Sequence, residues 1–293
     1  MSQFEKQYLN IASDIIDNGV VKDNRTGYYV NSTFSQFIKF DLQEGFPLIT
    51  TRKMFLRGIT EELLWFLRGD TNAKNLEAKN VNIWKGNTSR EFLDGRNLPY
   101  LPEGEIGCAY SHQWRNFGGE HPLVPDTKGL KGFDQVADVL QKLKDNPFDR
   151  RIIISGWSAN QTQYMALPPC HILYVFYHNP IKNSLSCHLT IRSSDHFHGL
   201  PFNLASVSLM THIFAKAVGM EVGEIAATMV DSHLYSPHFD AICTQLKRQS
   251  YPLPKLVINK NINGIEDIEK LQWEDFEISG YKYHPAIKED MVV

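Results

Sequence analysis

The sequence has no stretch of about 18 consecutive apolar residues, so it predicts no transmembrane helix. Its first residues also lack the basic and then apolar pattern of a secretory leader. Cysteine is scarce, because only four occur in 293 residues and none forms a CxxC pair. A zinc ribbon, a thioredoxin motif or a disulfide scaffold is therefore not indicated. We expect a cytoplasmic protein with no membrane partner and no metal.

An excess of charge of one sign is also lacking, since 30 basic residues stand against 33 acidic ones and the net charge is −3. This balance argues against a general nucleic-acid binder, although it allows a local basic pocket, and we expect no DNA partner. Apolar residues make up 42% of the chain, enough for a large core. Because no linker or repeat interrupts it, we predict that residues 1–293 form a single α+β domain on a large sheet.

Hydrophobic periodicity predicts the order of helices and strands. Ser2 and Glu5 fit a capping box at the start of the first helix. The expected helices cover 2–18, 59–68, 133–145, 202–218 and 237–248. The expected strands cover 28–40, 152–157, 172–178, 185–192 and 256–258. Gly, Pro, Asn and charged residues dominate 85–132, so we expect loops there around an ordered island at 110–114.

Cys170 is the first candidate for chemistry. Pro168 and Pro169 fix the backbone before it and His171 follows it, a pattern that suits a presented nucleophile. The alternative is a buried structural thiol, because free cysteine is among the most buried residue types. Nearby positive charge would favour the nucleophile by stabilising the thiolate.

Arginines are the candidate source of that charge and of a phosphate site. Arg25 lies in a predicted turn, Arg150 and Arg151 begin one predicted strand, and Arg192 ends another, followed by the hydroxyl donor Ser193. The arginine fork suits a phosphate, although a solvated surface position is the more usual one for a single arginine. Successive strand residues point to opposite faces, so one of the adjacent arginines could serve a neighbouring subunit.

Further polar residues fit the recognition of a nucleotide. The amide of Asn203, near a helix start, can read a carbonyl and a ring N–H together, although a capping role is the alternative. In a strand, His233 and Tyr235 would share one face and could bind a sugar hydroxyl, or simply pack in the core. Glu62 interrupts an apolar helix, where burial would raise its pKa, unless it faces water. Trp84 either provides a wall on which a ring stacks or belongs to the hydrophobic core.

These segments together resemble the thymidylate synthase family that uses a cysteine nucleophile and methylenetetrahydrofolate. The resemblance runs nearly end to end, and its most specific parts are Pro-Pro-Cys-His at 168–171 and Leu-Pro-Phe-Asn at 200–203. The matching segments are 23–27 with one substitution, 46–51, 62–66, 83–84, 113–115, 149–153, 165–171, 192–195, 199–206 and 233–235.

The resemblance implies a role for each matching residue. Cys170 would add to C6 of the uracil ring of dUMP, which turns C5 into a carbon nucleophile. The implied phosphate ligands are Arg25, Arg192 and Ser193, with Arg150 and Arg151 from the partner subunit. Asn203 would read uracil, and the implied ligands of the ribose 3′-hydroxyl are His233 and Tyr235. The implied proton-transfer and water network comprises Glu62, Tyr110 and His171, and Asn203 and Asp195 are also implied in catalysis.

The family also implies a cosubstrate and an assembly. A reduced folate, 5,10-methylenetetrahydrofolate, would give first its one-carbon unit and then a hydride. Its implied contacts are Asp195 on the pterin and, as walls that close over it, Trp84, Phe55 and the C-terminal Val293. The implied fold is the family's α+β architecture, a large mixed sheet with packed helices, in a sheet-on-sheet homodimer whose sites share residues.

Departures from the family pattern cluster near the implied site. Lys85 replaces an acidic residue after the tryptophan, and Ser111 replaces a glycine. Ile191 replaces a glutamine, His198 replaces an apolar residue, and Val230 replaces a glycine. Each substitution adds a polar group or a larger side chain at a position where members of the family have little space.

The resemblance leaves more than one function open. Hydride transfer to the exocyclic methylene on C5 would give a methyl group, whereas water would give a hydroxymethyl group. Trp84 and Val293 favour a dry site and methylation, whereas His198 is a candidate to hold water. Asn203, where cytosine-selective hydroxymethylases carry Asp, predicts a uracil substrate. A third hypothesis is an inactive homologue that binds nucleotide or RNA, but the net charge offers RNA binding no support.

Overall fold

The computed structural model describes residues 2–292 and is built on one mixed sheet. Its strands are β1 (Val20–Lys22), β2 (Val30–Asp41), β3 (Ile153–Ser155), β4 (His171–Asn179), β5 (Ser184–Asp195) and β6 (Glu221–Tyr235). They lie in the order β1-β2-β6-β5-β4-β3, and every neighbouring pair is antiparallel except the parallel pair β5–β6. A separate two-stranded sheet pairs β7 (Lys255–Ile258) with β8 (Phe276–Ser279). The predicted α+β fold with a large mixed sheet is confirmed.

Helices pack on the large sheet and on one another. They are α1 (Gln3–Asn18), α2 (Leu56–Leu67), α3 (Lys74–Glu77), α4 (Arg90–Gly95), α5 (Tyr110–Asn116), α6 (Gln135–Asp145), α7 (Gly199–Ala217), α8 (Phe239–Leu246) and α9 (Ile265–Glu269). Helix α7 is apolar on nearly all sides, because it packs on β5 and β6 below and on α2 above. Phe214 of α7 contacts Phe176 of β4, with ring centroids 5.4 Å apart. The core therefore lies between the sheet and α7.

The opposite face of the sheet is open in this chain. Pairing places Phe37, Thr190, Thr228 and Leu173 in one row across four strands on this face. Large apolar side chains near that row remain exposed, with Tyr177 at 63% and Phe37 at 54%. An apolar sheet face of this extent is characteristic of an interface.

The helix-capping prediction at the N-terminus was half right. The Ser2 hydroxyl accepts the backbone N–H of Glu5 at 3.1 Å, as expected. The Glu5 carboxylate, however, turns into the core and accepts the backbone N–H groups of Thr50 (2.8 Å) and Thr51 (2.7 Å). The fully buried carboxylate thereby ties α1 to the segment before α2 instead of closing the capping box.

Several other elements differ from the sequence prediction. Strand β1 and most of β6 were missed, because β6 is interrupted by polar residues and its pairing with β2 and β5 is not a local property. The region 85–132 contains α4 and α5 rather than loops alone, and α5 includes the predicted island at 110–114. No helix among residues 2–292 is both long enough and apolar enough to cross a membrane.

Candidate active site

Cys170 lies immediately before β4 in a segment held by Arg192 of β5. The Arg192 guanidinium donates to the carbonyl oxygens of Pro169 (2.8 Å) and Pro168 (3.0 Å), and its backbone N–H donates to the Cys170 carbonyl (2.9 Å). On the other side, the Tyr110 hydroxyl accepts the backbone N–H of Cys170 at 2.8 Å. The rigid prolines and these bonds from two elements fix the position of the thiol.

The protonation of the Cys170 thiol reflects opposing influences. Burial raises its pKa, the nearby Arg192 and a hydrogen bond from Tyr110 lower it, Asp195 raises it, and Arg25 lowers it. The net direction is upward in the protein alone, although both arginines act to stabilise the thiolate. Desolvation outweighs the cations, because the hydration free energy that the thiolate loses on burial exceeds its attraction to two partly solvated guanidinium groups.

Aromatic rings form a wall next to Cys170. Tyr110 of α5 stacks on Phe66 of α2, with centroids 5.0 Å apart and an interplanar angle of 15°. Tyr110 also contacts His171 (4.4 Å) and the edge of Trp84 (5.7 Å). Trp84 is buried within this group of rings, which agrees with a core position, and its role as a stacking surface for a ligand stays a prediction.

Adjacent glutamates on α2 have different environments. Glu61 is buried and forms an ion pair with Lys79 at 2.6 Å. Glu62 faces the aromatic wall, where its Oε1 accepts the indole N–H of Trp84 at 2.8 Å. Burial raises the pKa of Glu62 to about 7, although the Trp84 bond lowers it. A carboxyl that titrates near neutrality can both give and take a proton.

His171 adds a neutral polar group to the wall. Burial lowers its pKa to about 3, so the ring is uncharged at neutral pH. Its Nδ1 is hydrogen-bonded to the hydroxyl of Tyr174, three residues later on β4. Tyr174 carried no prediction from the sequence, although its short separation from His171 was a usable signal.

The parallel pairing of β5 and β6 brings a second group of polar residues together. Asp195 at the end of β5 lies in register with His233 near the end of β6. The Oδ1 atom of Asp195 accepts the N–H groups of Phe197 (2.9 Å) and His198 (3.2 Å). Tyr235 shares the face of His233, and burial raises its pKa, so its hydroxyl remains protonated.

Asn203 lies in the second turn of α7, not the first, because the helix begins at Gly199 rather than near residue 202. A helix-capping role is therefore wrong for this residue. Its half-buried amide makes no hydrogen bond with any residue in 2–292 and approaches Gly199 near the start of the helix. The amide donor and acceptor are both available to a ligand.

Arg25 approaches from an exposed turn. The Asn24 side chain accepts the Thr26 N–H at 2.9 Å, and Gly27 adopts φ +81°, which shapes the turn. Arg25 lies over the ring of Phe92 at 5.8 Å and lines a cleft of about 570 Å³ that extends to Pro168. Arg25 and Arg192 thus approach the Cys170 segment, and Ser193 follows Arg192 on β5.

Arg150 and Arg151 lie elsewhere. They precede β3 at the sheet edge, and Ile153 pairs with Val175, well along β4 from its first residue. At about 3.3 Å per residue, Arg151 is roughly 20 Å from Cys170. Its guanidinium binds Asp149 at 2.8 Å and is 84% exposed. A single chain therefore does not bring these two arginines to the others.

Two of the implied folate contacts, Phe55 and Val293, lie far apart in the sequence. Phe55 precedes α2 and is 46% exposed, which leaves an apolar ring available at the start of this helix. Val293 lies outside the described residues. The preceding segment is anchored by the backbone carbonyl of Asp290, which is 2.9 Å from Nε2 of His238. In residues 2–292, no group of three or more His, Cys, Asp or Glu side chains has a metal-binding arrangement.

The departures from the family pattern have distinct locations. Ile191 and Ser111 are fully buried in the core, Lys85 is exposed, and Val230 is part of the open sheet face. His198 donates its backbone N–H to Asp195, and burial lowers the pKa of its ring to about 4, although Asp195 raises it. Its Nε2 is buried and makes no hydrogen bond with the described residues.

Comparison with known proteins gives a consistent result. Residues 6–293 match the family model described as thymidylate synthase. The chain is 42% identical to human thymidylate synthase, over 99% of this chain and 91% of that one, and 44% identical to the Candida albicans enzyme, over 99% and 98%. It is 43% identical to the bifunctional dihydrofolate reductase-thymidylate synthase of Paramecium tetraurelia, over 99% of this chain but 61% of that protein. The chain spans between 48% and 61% of the length of such bifunctional relatives. The chain belongs to the thymidylate synthase family.

Proposed function

We propose that the protein catalyses the reductive methylation of dUMP to dTMP, with 5,10-methylenetetrahydrofolate as the donor of one carbon and a hydride. The observation that carries this proposal is the position of Cys170 beside Arg25, Arg192 and Tyr110, two residues after Pro168, where the cleft lined by Arg25 ends. The family membership supports the same reaction.

The chain's own residues suit the binding of a uracil nucleotide. Arg25, Arg192 and Ser193 offer donors to the phosphate, and the free amide of Asn203 matches the adjacent carbonyl and N–H of uracil. A dianionic phosphate beside both arginines would reduce their effect on the Cys170 thiol. Proton removal from Sγ therefore depends on a neighbouring base as well as on charge. Cys170 Sγ then bonds to C6, and the electron pair moves to C5 and the adjacent carbonyl.

The groups on the aromatic wall serve the proton transfers. Glu62, with a pKa near 7, can protonate the uracil carbonyl directly or through water when Cys170 adds. The Tyr110 hydroxyl is strongly disfavoured from ionising by burial, so it acts as a hydrogen-bond donor and acceptor. His171 is neutral and can orient water without adding charge.

The residues present fit a reduced folate. Asp195 uses only Oδ1 within the described chain, so Oδ2 is available to N–H groups of a pterin. The exposed ring of Phe55 provides apolar surface for the fused rings, and the small exposed part of Trp84 adds to it. When bound, the folate supplies the methylene group and the hydride that reduces it. Trp84 and the C-terminal segment exclude water from that step.

The proposal includes a homodimer formed by the open sheet faces. Its support is the uncovered apolar face and the distance of Arg150 and Arg151 from the other arginines. In such a dimer these two arginines would bind the partner's phosphate. Mixing two inactive variants, Cys170→Ser and Arg151→Ala, should restore activity, because one hybrid site contains both native residues. A mixture that exchanges subunits but stays inactive would contradict a shared site.

A direct assay tests the reaction. The protein with dUMP and 5,10-methylenetetrahydrofolate should form dihydrofolate, seen as a rise in near-ultraviolet absorbance, together with dTMP identified by mass. His198 favours one alternative, since its unpaired Nε2 could hold water near the methylene carbon. In that case the product mass would be that of hydroxymethyl-dUMP, and no dihydrofolate would form. A folded sample without either product would refute both reactions.

A further inference from the structure

A hydrogen-bonded chain crosses the end of the sheet beside His233. It begins at Lys22 on β1, continues through Ser32 on β2, and ends at Asp231 and His233 on β6. Lys22 Nζ is 3.1 Å from both Ser32 Oγ and Asp231 Oδ2. Asp231 Oδ1 is 2.8 Å from Ser32 Oγ and 3.1 Å from Nδ1 of His233.

The chemistry of these groups determines the direction of every bond. Lys22 can only donate, so Ser32 Oγ accepts from it and gives its own proton to Asp231. The pKa of Asp231 is held far below its usual range, first by the bond to His233 and then by Ser32 and Lys22. An ionised carboxylate only accepts, so Nδ1 of His233 must carry the proton.

The fold keeps this arrangement rigid at the histidine. Ser32 is the direct cross-strand partner of His233, and Asp195 is its partner on the other side. The carbonyl of His233 also accepts the N–H of His196 at 2.8 Å. Ser32 and His233 are buried, whereas Lys22 and Asp231 are about half exposed at the side chain. Water screens that exposed ion pair, so its main effect is geometric rather than stabilising.

We propose that Asp231, held by Ser32 and Lys22, is a positioning residue that keeps the proton of His233 on Nδ1, so that Nε2 accepts a hydrogen bond from the 3′-hydroxyl of the bound nucleotide. This inference rests on the proposed function, in which His233 and Tyr235 bind the ribose. The protonated Tyr235 hydroxyl lies on the same face, with its ring 5.2 Å from that of His233. The 3′-hydroxyl would then donate to His233 and accept from Tyr235, so the pair selects a group that does both.

Substrate discrimination is the first test. The KM values for dUMP and for its analogue without the 3′-hydroxyl are compared in the native protein, Asp231→Asn and Ser32→Ala. We expect Asp231→Asn to reduce the preference for dUMP by about three- to tenfold through KM, because its amide can donate to Nδ1 and reverse the bond. Ser32→Ala should give a smaller change in the same direction.

A matched control removes a different ion pair, which lies near the opposite end of β6. Glu224 on β6 binds Lys39 on β2 at 3.0 Å, and both side chains are about half exposed. Glu224→Gln should therefore leave the preference for the 3′-hydroxyl unchanged. An equal loss with both substrates in Asp231→Asn would show a merely structural role and overturn the inference.

Nitrogen NMR of the imidazole rings is the second test and requires no activity. At about pH 8, where an ordinary imidazole is neutral, we expect the His233 signals to show a protonated Nδ1 and an unprotonated Nε2. Comparison with His233→Gln assigns these signals. A proton on Nε2 in the native protein would overturn the inference. A native protein that shows no preference for the 3′-hydroxyl would instead refute the proposed ribose contact.

Discussion

The indole Nε1 of Trp84 donates a 2.8 Å hydrogen bond to the Glu62 carboxylate, the group whose pKa burial raises to about 7. The bond stabilises the ionised carboxylate, so it holds the pKa below the value that burial alone would give. This bond therefore links Trp84 of the aromatic wall to the protonation of Glu62 in the proposed reaction.

Trp84→Phe should move the Glu62 titration to higher pH. Loss of one hydrogen bond to a carboxylate is expected to raise its pKa by about one unit. The inflection near neutrality in the pH profile of kcat should shift upward accordingly. Trp65→Phe is the matched control, because the buried indole N–H of Trp65 has no partner among the described residues. Equal shifts in both variants would mean that ring packing, not the bond, controls Glu62.

Cys170→Ser should reduce turnover by about a thousandfold or more, because a hydroxyl is a far weaker nucleophile than a thiolate at neutral pH. Binding of dUMP, measured by calorimetry, should persist, since the arginines and Asn203 are unchanged. Cys243→Ser is the control, because Cys243 is also half-buried but lies on α8. Substantial turnover by Cys170→Ser would refute the nucleophile assignment.

Asn203→Asp should weaken the preference for uracil and admit dCMP. A carboxylate accepts from the exocyclic amine of cytosine but offers no donor to the uracil carbonyl. The ratio of kcat/KM for dUMP over dCMP should fall by about a hundredfold. If the variant retains the native ratio in paired assays, Asn203 does not read the base.

His198→Leu should lower any hydroxymethyl by-product, because it removes the buried Nε2 that could hold water. Mass analysis of the products gives the ratio of methyl to hydroxymethyl nucleotide. An unchanged product ratio would exclude His198 as the water-holding group.

His196 gives a prediction for stability against pH. The ring is fully buried against Tyr8, both nitrogens lack partners among the described residues, and burial lowers its pKa to about 3. The unfolded chain therefore binds a proton below about pH 6.5 that the folded chain does not, so this residue costs stability as pH falls toward 3. The difference in the free energy of unfolding between His196→Phe and the native protein, measured in denaturant titrations, should shift in favour of the variant by about 2 kcal/mol between about pH 8 and about pH 5. If acidification lowers the stability of both proteins equally, the loss does not come from His196.

Local pattern predicted much of the fold correctly. Helices α1 and α6 and strand β5 follow from apolar periodicity, because each places one face against the core. Strand β6 does not, since its polar residues are satisfied by partners on β1 and β2 that are distant in sequence. The role proposed for Asp231 therefore depends on these contacts and not on a local sequence pattern.

The sequence by itself determined the family, the rigid Pro-Pro-Cys turn and the types of polar residue available. The tertiary structure decided which of the two glutamates on α2 pairs with Lys79 and which meets Trp84, because helix rotation against the core is set by packing. It also decided that Arg192 holds the Cys170 segment while Arg150 and Arg151 lie at a distant sheet edge. Strand order and register are non-local, so only the folded chain fixes which charges meet.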